Sequence, residues 1–181
     1  TNAFLIGQWL VDPSPADSKA REDLLARIGE RQIDGIFLTH HHPDHHQQSV
    51  ELAQHCNVPI RVSPDTAQRI PKRFGKNYWQ DVEIQTIADG EVLCQWRDQA
   101  VRVHAVPGHD AGHMVLMPES RQWMVVGDLI QGIGTVVIAK PEGNMTDYFR
   151  SMQWVIDHAP AVIIPSHGQA MGGTYRIEQT L

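Results

Sequence analysis

At 181 residues the chain has room for one substantial hydrophobic core and little for a second. A composition 41% hydrophobic and 20% charged is that of an ordinary globular protein, and it sets aside disordered and fibrous classes. The formal net charge of −6 gives no global attraction to nucleic acid or an anionic membrane, and no apolar run approaches the length of a membrane span.

The segment from Thr1 to Val11 lacks the basic stretch of a secretion signal. Cys56 and Cys94 lie far apart and outside any CxxC, so they read as reduced thiols, and a cytoplasmic location is expected. AFLIGQWLVD reads as a hairpin delivering Asp12, and DPSPADS as a loop. Ala20, Leu24, Leu25 and Ile28 recur at helical spacing over Ser18 to Ile28. Ile33 to Leu38 is a compact apolar strand. A helix is expected from about Gln47 to near Asn57, before Pro59, and PIRV is a further short strand. Asp65 to Gln80, with Pro71 and Gly75, is expected to be irregular. The period then becomes two, with Val82, Ile84 and Thr86 alternating with Glu83 and Gln85, and Asp89-Gly90 signals a turn. EVLCQW, AVRVHAVP, HMVLM and QWMVVGD read as successive strands. Thr146 to Asp157 reads as a helix with Phe149, Met152, Val155 and Ile156 on one face, and AVIIP as a last buried strand. This order is neither all-β nor strict βαβ alternation; a layered α/β arrangement with sheets inside and helices outside is expected.

The chemistry concentrates in IFLTHHHPDHHQQ, Ile36 to Gln48. In an extended segment alternate residues point the same way, so His40 and His42 can share one target while His41 points away. Pro43 breaks the run and suits a turn or the first turn of a helix, and Asp44 and His45 follow at once. Two imidazoles before the bend and a carboxylate-imidazole pair after it could hold two metal ions. Nitrogen and oxygen donors without thiolate suit zinc first, and iron or manganese also. Three more polar residues follow apolar strands beside glycine: His109 in AVPGHDAGH, Asp128 in WMVVGDLIQG and His167 in AVIIPSHG. A rigid strand end that exposes a side chain on a loop is a recurrent place for active-site groups. A chance histidine tract is the competing reading. The strand before it, the helix after it and the partner motifs argue against that.

These residues resemble the metallo-β-lactamase superfamily. Thr39-His40-His41-His42-Pro43-Asp44-His45 is similar to its THxHxDH signature. Pro107-Gly108-His109, Gly127-Asp128 and Ser166-His167-Gly168 match its later motifs in the same order, over essentially the whole chain. The resemblance implies one domain over residues 1–181, a four-layer αββα sandwich with its site at one edge of the two sheets. It implies two Zn2+ per chain: His40, His42 and His109 on the first, Asp44, His45 and His167 on the second, and Asp128 bridging. In the family the histidine at the position of His113 is not a metal ligand, and a supporting hydrogen bond is its expected role. Asp12 either supports the histidine loop in the same way or is a plain turn aspartate. His41 and His46 support the site or face solvent, and His55, His104 and His158 read as structural or surface residues. The chain departs from the family pattern at His46-Gln47-Gln48, where Gly-Gly is usual, and at Asp110, where Thr or Ser is common.

The resemblance implies a hydrolase in which a metal-bridging hydroxide attacks an ester, thioester, amide or phosphodiester, with Asp44 or a metal-bound water handling the proton. Class B β-lactamases place cysteine where Asp128 stands, which disfavours lactams. Glyoxalase II resembles the set ligand for ligand. GDLIQGIGTVVIAKPEGNMTDYFRSM looks more like the β-lactamase-like hydrolases related to a mitochondrial endoribonuclease, which keeps RNA open beside a small ester or thioester. Those proteins continue into a small winged-helix extension, and GGTYRIEQTL, after about residue 172, reads as the start of one. Persulfide dioxygenases share the fold but use one iron held by two histidines and an aspartate; metal analysis separates the two readings. Finally, Arg69, Lys72, Arg73 and Lys76 stand beside Phe74, Tyr78 and Trp79, either as an anion-binding strip or, the preferred reading, as a solvated loop with a few packed aromatics.

Overall fold

Alternation of side chains across short strands builds the layers. The computed structural model describes residues 1–179. In chain order the elements are β1 (Phe4–Ile6), β2 (Trp9–Val11), α1 (Ser18–Ile28), β3 (Gly35–Phe37), α2 (Pro43–His46), α3 (Ser49–Cys56), β4 (Ile60–Val62), α4 (Pro64–Phe74) and β5 (Ile84–Thr86). There follow β6 (Val92–Trp96), β7 (Gln99–Ala105), β8 (Met114–Pro118), β9 (Met124–Gly127), α5 (Met145–His158), β10 (Val162–Pro165), β11 (Met171–Gly172) and α6 (Tyr175–Glu178). One sheet runs β1-β2-β3-β4-β5, parallel apart from the β1–β2 hairpin. The other runs β11-β10-β9-β8-β7-β6, antiparallel apart from the β9–β10 pair.

Trp9, Val11 and Phe37 of the first sheet meet Leu93, Val101, Val103, Leu116 and Val125 of the second, and form the core between the sheets. Their strand neighbours Leu10, Ile36, Ile60 and Val62 cluster with Ile28, Leu52 and Ile70 of α1, α3 and α4. Val115, Met117, Val126 and Ile163 cluster with Met152 and Val155 of α5 and Ile177 of α6. Period-two alternation thus serves two cores from one strand. β8 is buried along its whole length because both its faces are covered. The result is the expected αββα sandwich. Each fully buried aliphatic or aromatic side chain stabilises it by about 1.5–3 kcal/mol.

One expectation needs correction. The segment expected to be irregular from Asp65 forms α4, because Ser63 caps it, accepting from Thr66 N at 3.1 Å, and Pro64 sits in its first turn. Pro71 is tolerated inside it: the Ala67 carbonyl, which the missing Pro71 N–H cannot serve, accepts from Trp79 Nε1 at 3.1 Å. The helix expected from about Gln47 to near Asn57 is α3, from Ser49 to Cys56, and the turn expected at Pro43 is α2. The pair β11 and α6 was not foreseen. Thr180 and Leu181, the last residues of the segment expected to begin a C-terminal extension, lie outside the described residues.

Candidate metal centre

The site gathers where strands end. β2 and β3 are parallel neighbours, with Val11 opposite Phe37, so Asp12 comes out beside the loop that leaves β3. Asp12 is fully buried at φ +47, a backbone region that aspartate tolerates better than most residues. It accepts from Thr39 N at 2.8 Å, from the Thr39 hydroxyl at 2.7 Å and from His45 Nδ1 at 2.8 Å. Asp12 is therefore the anchor of the histidine loop and no ordinary turn residue. From the second sheet, His109 follows β7, and Asp128 and His167 follow β9 and β10. Glycine is required twice here. A Cβ on Gly108 would stand 2.3 Å from Tyr148 Cα, and one on Gly127, at φ +54, would stand 2.6 Å from His113 Nε2.

The seven residues expected as ligands come together in two groups. In the first, His42 Nδ1 lies 2.9 Å from His40 Nε2 and 3.0 Å from His109 Nε2. The outer nitrogens of these rings face oxygen: His40 Nδ1 is 3.0 Å from Thr39 Oγ1, and His109 Nδ1 is 2.7 Å from the Val137 carbonyl. His42 Nε2 is 3.5 Å from Glu142 Oε2. That arrangement turns the ring protons outward and three lone pairs inward, with no proton to share between them. Burial, and then the neighbouring imidazoles, hold His40 well below the usual histidine range. Burial and His109 lower His42 too. Neutral rings converging in a largely buried site fit a cation.

In the second group, Asp44 Oδ2 lies 3.1 Å from His167 Nε2 and 3.4 Å from His45 Nε2. Asp128 stands between the groups. Its Oδ1 is 3.3 Å from His45 Nε2 and 3.4 Å from His167 Nε2, while its Oδ2 is 3.8 Å from His109 Nε2. Burial works against charge on His45, but the charge and hydrogen bond of Asp12, reinforced by Asp128, raise it to about 10. Burial likewise favours a neutral Asp128, yet His45, then His167 and His109, hold it at about 2. His45 Nε2 and Asp128 Oδ1 are buried without a hydrogen bond between them, which is the mark of two donors that lack their shared partner.

The other histidines divide clearly. His113 gives no nitrogen to either group, though its ring lies 4.9 Å from that of His40; its Nε2 accepts from Asp128 N at 3.1 Å, and burial followed by the charge of His109 pushes its pKa down to about 3. His41 and His46 are buried, so the solvent-facing alternative falls. His46 Nδ1 is 2.6 Å from Tyr78 Oη, and burial lowers its pKa to about 4. His158 stacks on Trp154 at 3.8 Å between centroids, and His104 packs beside them. Most of the basic and aromatic strip is engaged within the fold. Tyr78 and Trp79 pack against the helical side of the first sheet, Arg69 pairs with Asp65, and Arg73 pairs with Glu142. The contacts of Asp110, Glu142 and Arg73 around His41 went unread in the sequence. The carboxylate of Asp110, where the family has a hydroxyl, was their one visible sign. Among the described residues no helix is long and apolar enough to cross a membrane.

Comparison with known proteins agrees with this architecture. The family profile of the metallo-beta-lactamase superfamily matches residues 1–167. A hydroxyacylglutathione hydrolase of Bdellovibrio bacteriovorus is 28% identical over 158 residues, covering 87% of this chain and 57% of that protein. A beta-lactamase-like protein 2 homolog of Drosophila melanogaster is 27% identical over 190 residues, covering 94% of this chain and 59% of that protein. The chain thus spans a little under three fifths of these relatives. Among solved structures, a metallo-beta-lactamase family protein from Thermus thermophilus superposes with a TM-score of 0.78 at 22% identity, over 98% of this chain and 71% of its own. A protein crystallised in a di-iron-bound form superposes with a TM-score of 0.74 at 20% identity, over 94% of this chain and 88% of its own. The chain belongs to the metallo-beta-lactamase superfamily.

Proposed function

We propose that this chain is a dinuclear metal-dependent hydrolase of a small thioester or ester. In this reading His40, His42 and His109 hold one cation, Asp44, His45 and His167 hold the other, and Asp128 serves both. The observation that carries the reading is the placement of Asp128, with one carboxylate oxygen toward each donor group. Zinc is the cation the donors suit best, with iron and manganese as alternatives. Bound there, it would acidify water toward a pKa of about 7 and polarise the scissile carbonyl.

The chain's own residues do the rest. Asp12 fixes Thr39 and His45 at once, so both donor groups hang from one buried carboxylate. His113 fixes the backbone of Asp128. Asp44 is the exposed carboxylate at the mouth; it gives Oδ2 to His45 and His167, and its other oxygen is left to take the proton. The thioester preference rests on the similarity to a hydroxyacylglutathione hydrolase and is carried to this site by analogy.

The test is a panel of an S-acylglutathione thioester, an aryl ester, a lactone, a phosphodiester and a short RNA, given to zinc-loaded protein. Thioester or ester hydrolysis, abolished by a chelator and restored by Zn2+, is the expected result. Preferred cleavage of RNA would move the assignment to an endoribonuclease. Activity only with one iron per chain, with oxygen uptake on a persulfide, would replace it with a dioxygenase.

A further inference from the structure

Beside the centre lies a set of side chains that the mechanism above does not use. His41 sits between two proposed ligands in the sequence but turns the opposite way, fully buried, with Nδ1 2.6 Å from Asp110 Oδ2. Its Nε2 lies 3.2 Å from Glu142 Oε1. Glu142 belongs to the loop between β9 and α5, and its other oxygen reaches to 3.5 Å from His42 Nε2. Arg73, in the last turn of α4, donates to Glu142 Oε1 at 2.9 Å. Donor atoms of His41, His42, Asp110 and Glu142 lie within 4.8 Å of one another, close enough to raise the case for a third cation.

Two facts decide against a third cation. The Arg73 guanidinium is already 2.9 Å from Glu142 Oε1 and 3.3 Å from His41 Nε2, a permanent positive charge in the place a metal would take. His42 would also have to give a lone pair from both ring nitrogens, which requires removing the ring proton that a neutral imidazole keeps. What remains is a carboxylate aimed at the far side of a ligand imidazole.

On the reading of the site given above, we propose that Glu142 is a positioning residue for His42. Its Oε2, 3.5 Å from Nε2, favours the ring proton on that side, so Nδ1 keeps the lone pair that faces His40 and His109. A carboxylate behind a metal-binding histidine fixes tautomer and ring orientation and makes the ring a better donor. His40 and His109 lean instead on a hydroxyl and a backbone carbonyl, both neutral. Among the described residues, His42 is therefore the ring of the three whose outer nitrogen faces a charged group. Glu142 is itself held on its other oxygen by Arg73 and His41, and His41 is backed by the buried Asp110. This chain of contacts ties α4, the loop after β7 and the loop after β9 to one imidazole. It also gives Asp110 a task that a hydroxyl would do less well, since a carboxylate is the stronger partner for His41.

Titration of the metal-free protein with Co2+, followed by visible absorption and calorimetry, tests this. The wild-type chain is expected to bind two Co2+. Glu142→Ala should weaken one of the two events by about 10–100-fold, leave the other within about twofold, and alter the Co2+ spectrum. Glu142→Gln, whose amide oxygen still accepts from Nε2–H, should restore most of the lost affinity. Arg73→Met, which frees Glu142 without removing it, should weaken the same event by less. A merely structural loop contact would lower the melting temperature without separating the two events. Wild-type affinity for both cations in Glu142→Ala overturns the positioning role alone, as does a third Co2+ that Glu142→Ala abolishes. A wild-type chain that takes up no Co2+ overturns the hydrolase reading with it.

Discussion

The two halves of the centre use different chemistry to reach the same end. The half formed by His40, His42 and His109 is all imidazole, and burial keeps His40 and His42 neutral with lone pairs inward. The half formed by Asp44, His45 and His167 mixes a carboxylate with imidazoles and opens to solvent at Asp44. There His45, held between Asp12 and Asp128, keeps a proton up to about pH 10 in the metal-free chain. On the proposed assignment the first half is ready for a cation as it stands, while in the second half a proton stands in the place of the cation and would leave when a metal enters. The comparison teaches that preorganisation of donors and neutrality of donors are separate properties, and that Asp12 supplies the first while opposing the second.

The strongest way to break this picture is to remove the residue both halves share. Asp128→Ala should lower turnover by roughly 10^4-fold, about 5.5 kcal/mol in the barrier, with an unchanged far-ultraviolet circular dichroism spectrum. A purified variant with full activity would show that the halves do not act together. Next in size is Asp12→Ala, which strands Thr39 and His45 at a fully buried position. It should destabilise the chain by about 3–5 kcal/mol in urea unfolding, and weaken the second half for metal more than the first. Equal weakening of both would remove the distinction between them.

A third test is the dependence of stability on pH. His46 and His113 have folded pKa values of about 4 and about 3, below the ordinary 6.5. The unfolded chain therefore takes up their protons first, and stability is lost as pH falls below about 6.5. His45 has the opposite sign: raised to about 10, it stabilises fully below about pH 6.5, and that contribution fades as pH rises to about 10. Each group contributes up to about 1.4 kcal/mol per pH unit within its window. Metal-free protein should be most stable near pH 6.5, as judged by urea unfolding across the range. Zinc should flatten the alkaline limb, because the proton on His45 has already been displaced. An alkaline limb of the same slope with zinc present would refute the assignment of the second half.

Much of the fold was legible because it follows from local alternation. The two sheets, α1 and α5 show their periods in the sequence, and the histidine run announces itself between β3 and α2. Asp12, His109, Asp128 and His167 could be read because each stands at the end of an apolar run, where a strand delivers its next side chain into a loop. α4 was missed because Pro71 reads as a helix breaker; only the distant Trp79 indole explains why it is not. The solvent-facing alternatives for His41 and His46 failed for a similar reason. Their partners, Asp110, Glu142 and Tyr78, come from segments far away in sequence, and only the tertiary fold brings them near. Local pattern carries strand-end residues well, and carries charge networks assembled across loops hardly at all.

The most direct test of the centre is a Zn2+ titration of metal-free protein near pH 7.5 in buffers of different ionisation enthalpy, so that cations bound and protons released are counted together. The account predicts two Zn2+ per chain, with proton release confined to one of the two events, and that event missing in His167→Ala. A single Zn2+ per chain, or two bound with no proton released by either, would contradict it.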